Sequence, residues 1–187
     1  TMRELSLHLC GIHAVESGAI SLWMPHLRDL SFTHNSLDAV PGDVLIGLPE
    51  LERLSFGRNP VSQGWLDARP FASAQLSLLR YLDFSPPAVM QSQEDGEEEK
   101  GRSASATVES DEVVAIRRGT FAGLSGLEDL SVHGFARLSR VEEGVWDNLP
   151  GLRRLKLDGN NISRAFSLAN DSWVGEGAAL LNLTQLE

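Results

Sequence analysis

Leu152-Arg153-Arg154-Leu155-Lys156-Leu157-Asp158-Gly159-Asn160-Asn161-Ile162 decides the reading of this chain, because it follows L-x-x-L-x-L-x-x-N-x-L at every fixed position. Leu155 and Leu157 alternate as a short strand with one buried side. Asn160 marks the turn where the chain leaves the strand. A side-chain amide offers both donors and an acceptor, so it can satisfy backbone groups of neighbouring turns.

The same spacing recurs outward from this stretch. Strand segments begin at Met2, Leu27, Leu51, Leu79, Leu127 and Leu152, at intervals of 25, 24, 28, 48 and 25 residues. A unit of this size cannot bury its own apolar face, whereas stacked units share one continuous core. The first unit carries Leu5, Leu7, Cys10 and Ile12; the second Leu30, Phe32, Asn35 and Leu37; the third Leu54, Phe56, Asn59 and Val61. The third return, through Trp65 and Phe71, is longer than its neighbour and is expected to hold a loop or short helix.

The fourth unit starts with Leu82 and Phe84 but has Pro87 at the asparagine position. Proline has no N–H to donate, so the ladder of turn amides is expected to break there. Residues 90–112 follow, with eight acidic and two basic side chains and no aromatic residue. That composition buries too little to offset its ordering entropy and reads as an acidic disordered insert. Ile116, Phe121 and Leu124 match Val141, Trp146 and Leu149 at identical offsets, so the insert interrupts a return segment and not a strand. In the fifth unit the asparagine position holds Phe135, with one added residue. The pattern relaxes after Ile162 through Ala165, Phe166 and Leu168.

The returns Ile116-x-x-Gly119-x-Phe121-x-x-Leu124 and Val141-x-x-Gly144-x-Trp146-x-x-Leu149 resemble the typical extracellular class of leucine-rich repeats, of which Toll-like receptor ectodomains and Slit-type proteins are built. The resemblance implies an α/β leucine-rich-repeat solenoid of about six to seven coils, with a concave parallel sheet and irregular or short helical convex returns. Residues 1–187 then form a single solenoid, expected to be a piece of a longer array. The start lacks the features of a signal peptide and opens inside a repeat, and the end reads as the lead-in to another coil. The chain departs from that class in lacking cysteine-rich caps. Its insert resembles long insertions of some Toll-like receptors, which are processed or touch ligand; a solvated, variable loop is the alternative.

Composition narrows the function. A net charge of −10 argues against nucleic acid, and no run of 18 apolar residues predicts membrane contact by this segment. The single Cys10 rules out an internal disulfide framework and falls where the repeat accepts Asn or Cys, a structural position. Three N-x-[ST] sequons, at Asn161, Asn170 and Asn182, stand against about one expected by chance from seven asparagines. They point to an extracellular or cell-surface ectodomain, with a cytoplasmic location as the alternative.

Catalytic motifs are missing: there is no G-x-S-x-G elbow, P-loop or H-E-x-x-H. No cofactor or metal is expected, since His8 and His133 share a repeat column but lie four strands apart, roughly 19 Å at the usual strand spacing. Strand positions between the leucines face outward and form columns. These are Glu4, Asp29, Arg53, Tyr81, Asp129 and Arg154; then Ser6, Ser31, Ser55, Asp83, Ser131 and Lys156; then His8, Thr33, Gly57, Ser85, His133 and Asp158. The ligand-contacting candidates are His8, Thr33, His34, Arg53, Arg58, Tyr81, Asp83, His133, Arg154 and Lys156. The expected function is a recognition module of a receptor or secreted ectodomain, binding a protein or other macromolecule on the concave face, with dimerisation a further mode of assembly. An intracellular leucine-rich-repeat scaffold is the alternative; catalysis would have to sit outside these residues.

Overall fold

The computed structural model describes residues 2–20, 24–74, 76–87 and 112–162. The insert 90–112, except Glu112, and the relaxed stretch beyond Ile162 lie outside the described residues.

Six short strands form one parallel sheet: β1 (Glu4–Ser6), β2 (Asp29–Ser31), β3 (Arg53–Ser55), β4 (Tyr81–Phe84), β6 (Asp129–Val132) and β8 (Arg154–Lys156). The register is the one the leucine spacing dictates. Leu5, Leu30, Leu54, Leu82, Leu130 and Leu155 are successive partners across it. Between β4 and β6 the chain adds β5 (Ala115–Ile116), and between β6 and β8 it adds β7 (Arg140–Val141). These pair with each other away from the main sheet, Ile116 opposite Val141. The chain therefore re-enters after the insert within a return segment, as the matched offsets require. The third return holds α1 (Gln63–Asp67), capped by Ser62, whose hydroxyl accepts from the Trp65 N–H at 3.2 Å.

Burial follows the two periodicities. The central leucines of β2, β3, β4 and β6 are at most 1% exposed, while Leu5 and Leu155 in the flanking coils are only half-buried. An aromatic row runs through the core. Phe32 stacks on Phe56 and Phe56 on Phe84, each at 5.7 Å; Phe84 meets Phe121, and Phe121 stacks on Trp146 at 6.0 Å. Trp65 meets both Phe56 and Phe84 edge to face, and its indole N–H donates to the Val40 carbonyl at 2.6 Å. Each such pair contributes about 0.5–1.5 kcal/mol beyond its buried area. Where the strand residue shrinks to Val132, Phe121 and Trp146 of the returns continue the row of rings.

The turn asparagines bind adjacent coils together. The Asn59 side chain is fully buried; it donates to the carbonyls of Phe56 and Phe32, both at 2.9 Å, and accepts from the Leu37 N–H at 3.1 Å. Asn35 does the same between the first two coils and Asn160 between the last two. The residue before each turn position is left-handed: Leu9, His34, Arg58, Gly134 and Gly159 all have positive φ. Pro86 cannot adopt that conformation, so the fourth coil closes differently. The Ser85 carbonyl accepts from the Arg58 N–H at 2.7 Å, as the Gly57 carbonyl does from His34 one coil earlier, and additionally from the Asn59 N–H at 3.2 Å, which takes up the acceptor role of the missing amide but not its donor role.

Polar contacts also anchor the re-entry. The carbonyl oxygen of the buried Gln63 side chain accepts from the N–H groups of Val114 and Ala115, both at 2.9 Å, and its amide donates to Asp67. Glu112, read from the sequence as the last residue of the insert, forms a backbone bridge with Ser62 and pairs with Arg137 at 3.6 Å. Among the described residues no helix is long and apolar enough to cross a membrane.

Candidate functional site

Because alternate strand residues point to opposite faces, each buried leucine is flanked by two outward positions, and the parallel register lines these up. Arg53 pairs laterally with Tyr81 and Tyr81 with Asp129; Ser55 pairs with Asp83 and Asp83 with Ser131. Lateral pairing turns the columns into local clusters. The Arg53 guanidinium lies 4.5 Å from the centre of the Tyr81 ring and 3.3 Å from the Asp29 carboxylate. Arg154 grips Asp129 with two nitrogens, the second at 2.7 Å. That hydrogen bond holds the Asp129 carboxyl below the usual carboxylate range, aided by the charge of Arg154, against the opposing effect of burial. Burial, and next the nearby Asp83, push the Tyr81 hydroxyl above its ordinary value.

At the centre of the face, Ser55 donates to Asp83 at 3.1 Å, Ser131 and His133 share a hydrogen bond at 2.8 Å, and Asp83 lies 3.9 Å from the same His133 nitrogen, Nδ1. The residue types are those of a nucleophilic triad, but the geometry is not. In a triad the serine and the carboxylate engage opposite ring nitrogens; here both address Nδ1. Gly57 lets the Asp83 carboxylate pack close against the chain, since a Cβ there would stand 2.6 Å from an Asp83 oxygen.

Of the candidate residues, Arg53, Tyr81, Asp83, Arg154 and Lys156 lie on the strands themselves. His8, Thr33 and His133 follow directly along the same face, with the His8 ring hydrogen-bonded to Thr33 at 2.8 Å. His34 and Arg58 are placed elsewhere, at the left-handed turns on the rim. The His34 ring meets His8 edge to face at 4.5 Å, and its Nδ1 is buried without a partner. Among the described residues no group of three His, Cys, Asp or Glu side chains is set to hold a metal. Asn161 is exposed; Asn170 and Asn182 lie outside the described residues.

His34 gives the rim a pH dependence. Burial first, then the charges of Arg58 and His8, hold its pKa below the ordinary value of 6.5. The unfolded chain therefore binds the proton more readily than the folded one, and stability falls as pH drops from about 6.5 towards the lowered value. His34→Asn, which suits the left-handed turn, is expected to remove part of this slope. Melting temperatures between pH 7.5 and 5.5 check it, the wild type losing more than the variant on acidification.

Sequence reasoning located the columns but missed the cleft they enclose. Arg53, Tyr81, Asp129, Leu130, Ser131, Arg154 and Lys156 line a depression of about 320 Å³ between β3 and β8. Two further clefts lie at the strand-entry rim and on the return side, away from these columns. Only lateral neighbours separated by 25 to 48 residues reveal the depression, and no local motif signals it.

Residues 1–61 and 107–162, more than half of the chain, match the family model described as leucine rich repeat, and the chain belongs to that family. The comparison with curated proteins gives no match. Among solved structures the chain is similar to the crystal structure of human 5T4 (Wnt-activated inhibitory factor 1, trophoblast glycoprotein), at 24% sequence identity and a TM-score of 0.55, over 84% of this chain and 52% of that one. It spans about half the length of that protein, and the likeness is one of fold.

Proposed function

We propose that the open face of the six-stranded sheet binds a protein partner, and that the chain serves as a recognition module of a receptor or secreted ectodomain. One observation carries this reading: three columns on the open side of the sheet run from β1 to β8, interrupted at Gly57, and present polar side chains of both charge signs on a scaffold fixed by buried leucines. A rigid sheet holds such groups in place before binding, so little ordering entropy is lost on association. The leucine-rich repeat family assignment agrees with a protein-binding role.

The secretory reading rests on the three sequons, with Asn161 exposed, and on the similar structure being that of a protein described as a glycoprotein. A second reading, an intracellular scaffold, draws on Cys10, which is exposed and in no disulfide, as suits a reducing compartment.

One secreted preparation tests both points. Photo-crosslinking side chains placed at Ser31 and Ser55 are expected to capture a partner on cells, while one at the exposed return residue Glu143 captures none. The same material is expected to carry glycan on at least one of Asn161, Asn170 and Asn182, most readily on Asn170, seen as a mass removed by glycosidase. Capture from Glu143 alone would overturn the face assignment, and a folded product without glycan would favour the scaffold.

A further inference from the structure

The cleft between β3 and β8 has an unbalanced lining. Three cations, Arg53, Arg154 and Lys156, surround one carboxylate, Asp129. Asp129 is committed to Arg154, and Lys156 pulls on the same carboxylate electrostatically without closing an ion pair with it. Counting Asp29, which Arg53 also reaches at 3.3 Å, one positive charge is still left over. The floor is the β6 backbone at Leu130, whose side chain points into the core, and one wall is the Tyr81 ring, which Arg53 covers. An aromatic wall beside a group of cations fits a short methylene stem ending in a carboxylate.

We propose that this cleft seats a single acidic side chain, aspartate or glutamate, presented by a partner protein, with its carboxylate between Lys156 and the guanidinium groups of Arg53 and Arg154. The proposal rests on the reading of the open face as a partner surface and names the chemistry of its anchor. Charge distribution separates this occupant from an extended polyanion. Glu4, Asp29, Asp83 and Asp158 stand on the same face, and the chain carries −10 overall. A sulfated glycan or nucleic acid running across the sheet would meet these carboxylates, whereas one acidic side chain entering the cleft meets chiefly its cations. Lys156 contributes a flexible ammonium and the two arginines contribute planar donors, a set that can close on a carboxylate from several sides.

The test is an amide-shift NMR titration of the 187-residue chain with acetyl-Ala-Glu-Ala-amide, acetyl-Ala-Gln-Ala-amide and a sulfated oligosaccharide. The glutamate peptide is expected to shift the amides of residues 129–131 and 154–156, and the glutamine peptide to leave them in place. Lys156→Gln, at an exposed site, is expected to weaken the glutamate response about threefold to fivefold, the upper part of the range for an exposed ion pair. Arg153→Gln, next to Arg154 but on the strand-entry rim, is expected to leave it unchanged. An equal response to both peptides, no shift at these amides, or a preference for the sulfated oligosaccharide there would overturn the proposal. If crosslinkers at Ser31 and Ser55 capture a partner whose binding is indifferent to Lys156→Gln, the acidic anchor is wrong while the face reading stands; capture from Glu143 alone removes the face reading itself.

Discussion

Leu130→Asp is expected to abolish the cooperative thermal transition. Leu130 is 1% exposed, lies on β6 between β4 and β8, and pairs with Leu82 on one side and Leu155 on the other. A carboxylate in that position is out of reach of the face cations on the opposite side of the sheet. Burying it unpaired costs several kcal/mol, on top of about 2–5 kcal/mol for the lost leucine packing. A small domain is stable by only about 5–15 kcal/mol, so little net stability remains. Far-UV circular dichroism on heating is the measurement. A Leu130→Asp protein that melts within a few degrees of the wild type would mean that Leu130 is not in the core.

Asn59→Ala is expected to have the second largest effect, although it removes no charge and little apolar surface. The Asn59 side chain is 0% exposed and satisfies the Phe32 and Phe56 carbonyls and the Leu37 N–H. Deleting it strands the Phe56 carbonyl and the Leu37 N–H, each costing about 1–3 kcal/mol, while the Phe32 carbonyl keeps its bond from Asn35, so a total loss of about 2–4 kcal/mol is expected after partial relaxation. Asn35→Ala should cost less, because part of its hydrogen bonding serves the exposed Cys10 coil, where water can replace it. Chemical denaturation of the two variants should rank them in that order. Equal and small losses would contradict the view that these amides fasten one coil to the next.

These two residues also show what the sequence makes legible. Strand register follows from leucine spacing alone because a slip of one residue would turn every leucine outward, and all six strands pair as that spacing requires. The return segments were equally readable, since Ile116 and Val141 share offsets and prove to be paired. Backbone handedness was harder to see. The pattern counts positions, not φ, so His34 and Arg58 looked like face residues although they sit at left-handed rim turns. Gly134 and Gly159 in the same column were the available signal. Lateral contacts such as Ser131 with His133, Arg154 with Asp129 and Gln63 with Val114 depend on side chains meeting across coils. Nothing in one coil's sequence specifies its neighbour's rotamers. The cleft, built from four strands, belongs to the same class of feature.

The central structural claim is that alternate residues of each strand form a buried leucine stack and an open binding face. Single cysteines placed along β3 and at the residue that follows it, in a Cys10→Ser background, test it most directly through their rates of maleimide labelling in the native state. Arg53→Cys and Ser55→Cys are predicted to label rapidly, while Leu54→Cys and Phe56→Cys, whose native side chains are 0% exposed, are predicted to label only as fast as the chain opens. Equal rates at all four positions, or fast labelling at residues 54 and 56 with protection at 53 and 55, would contradict the register and with it the proposed face.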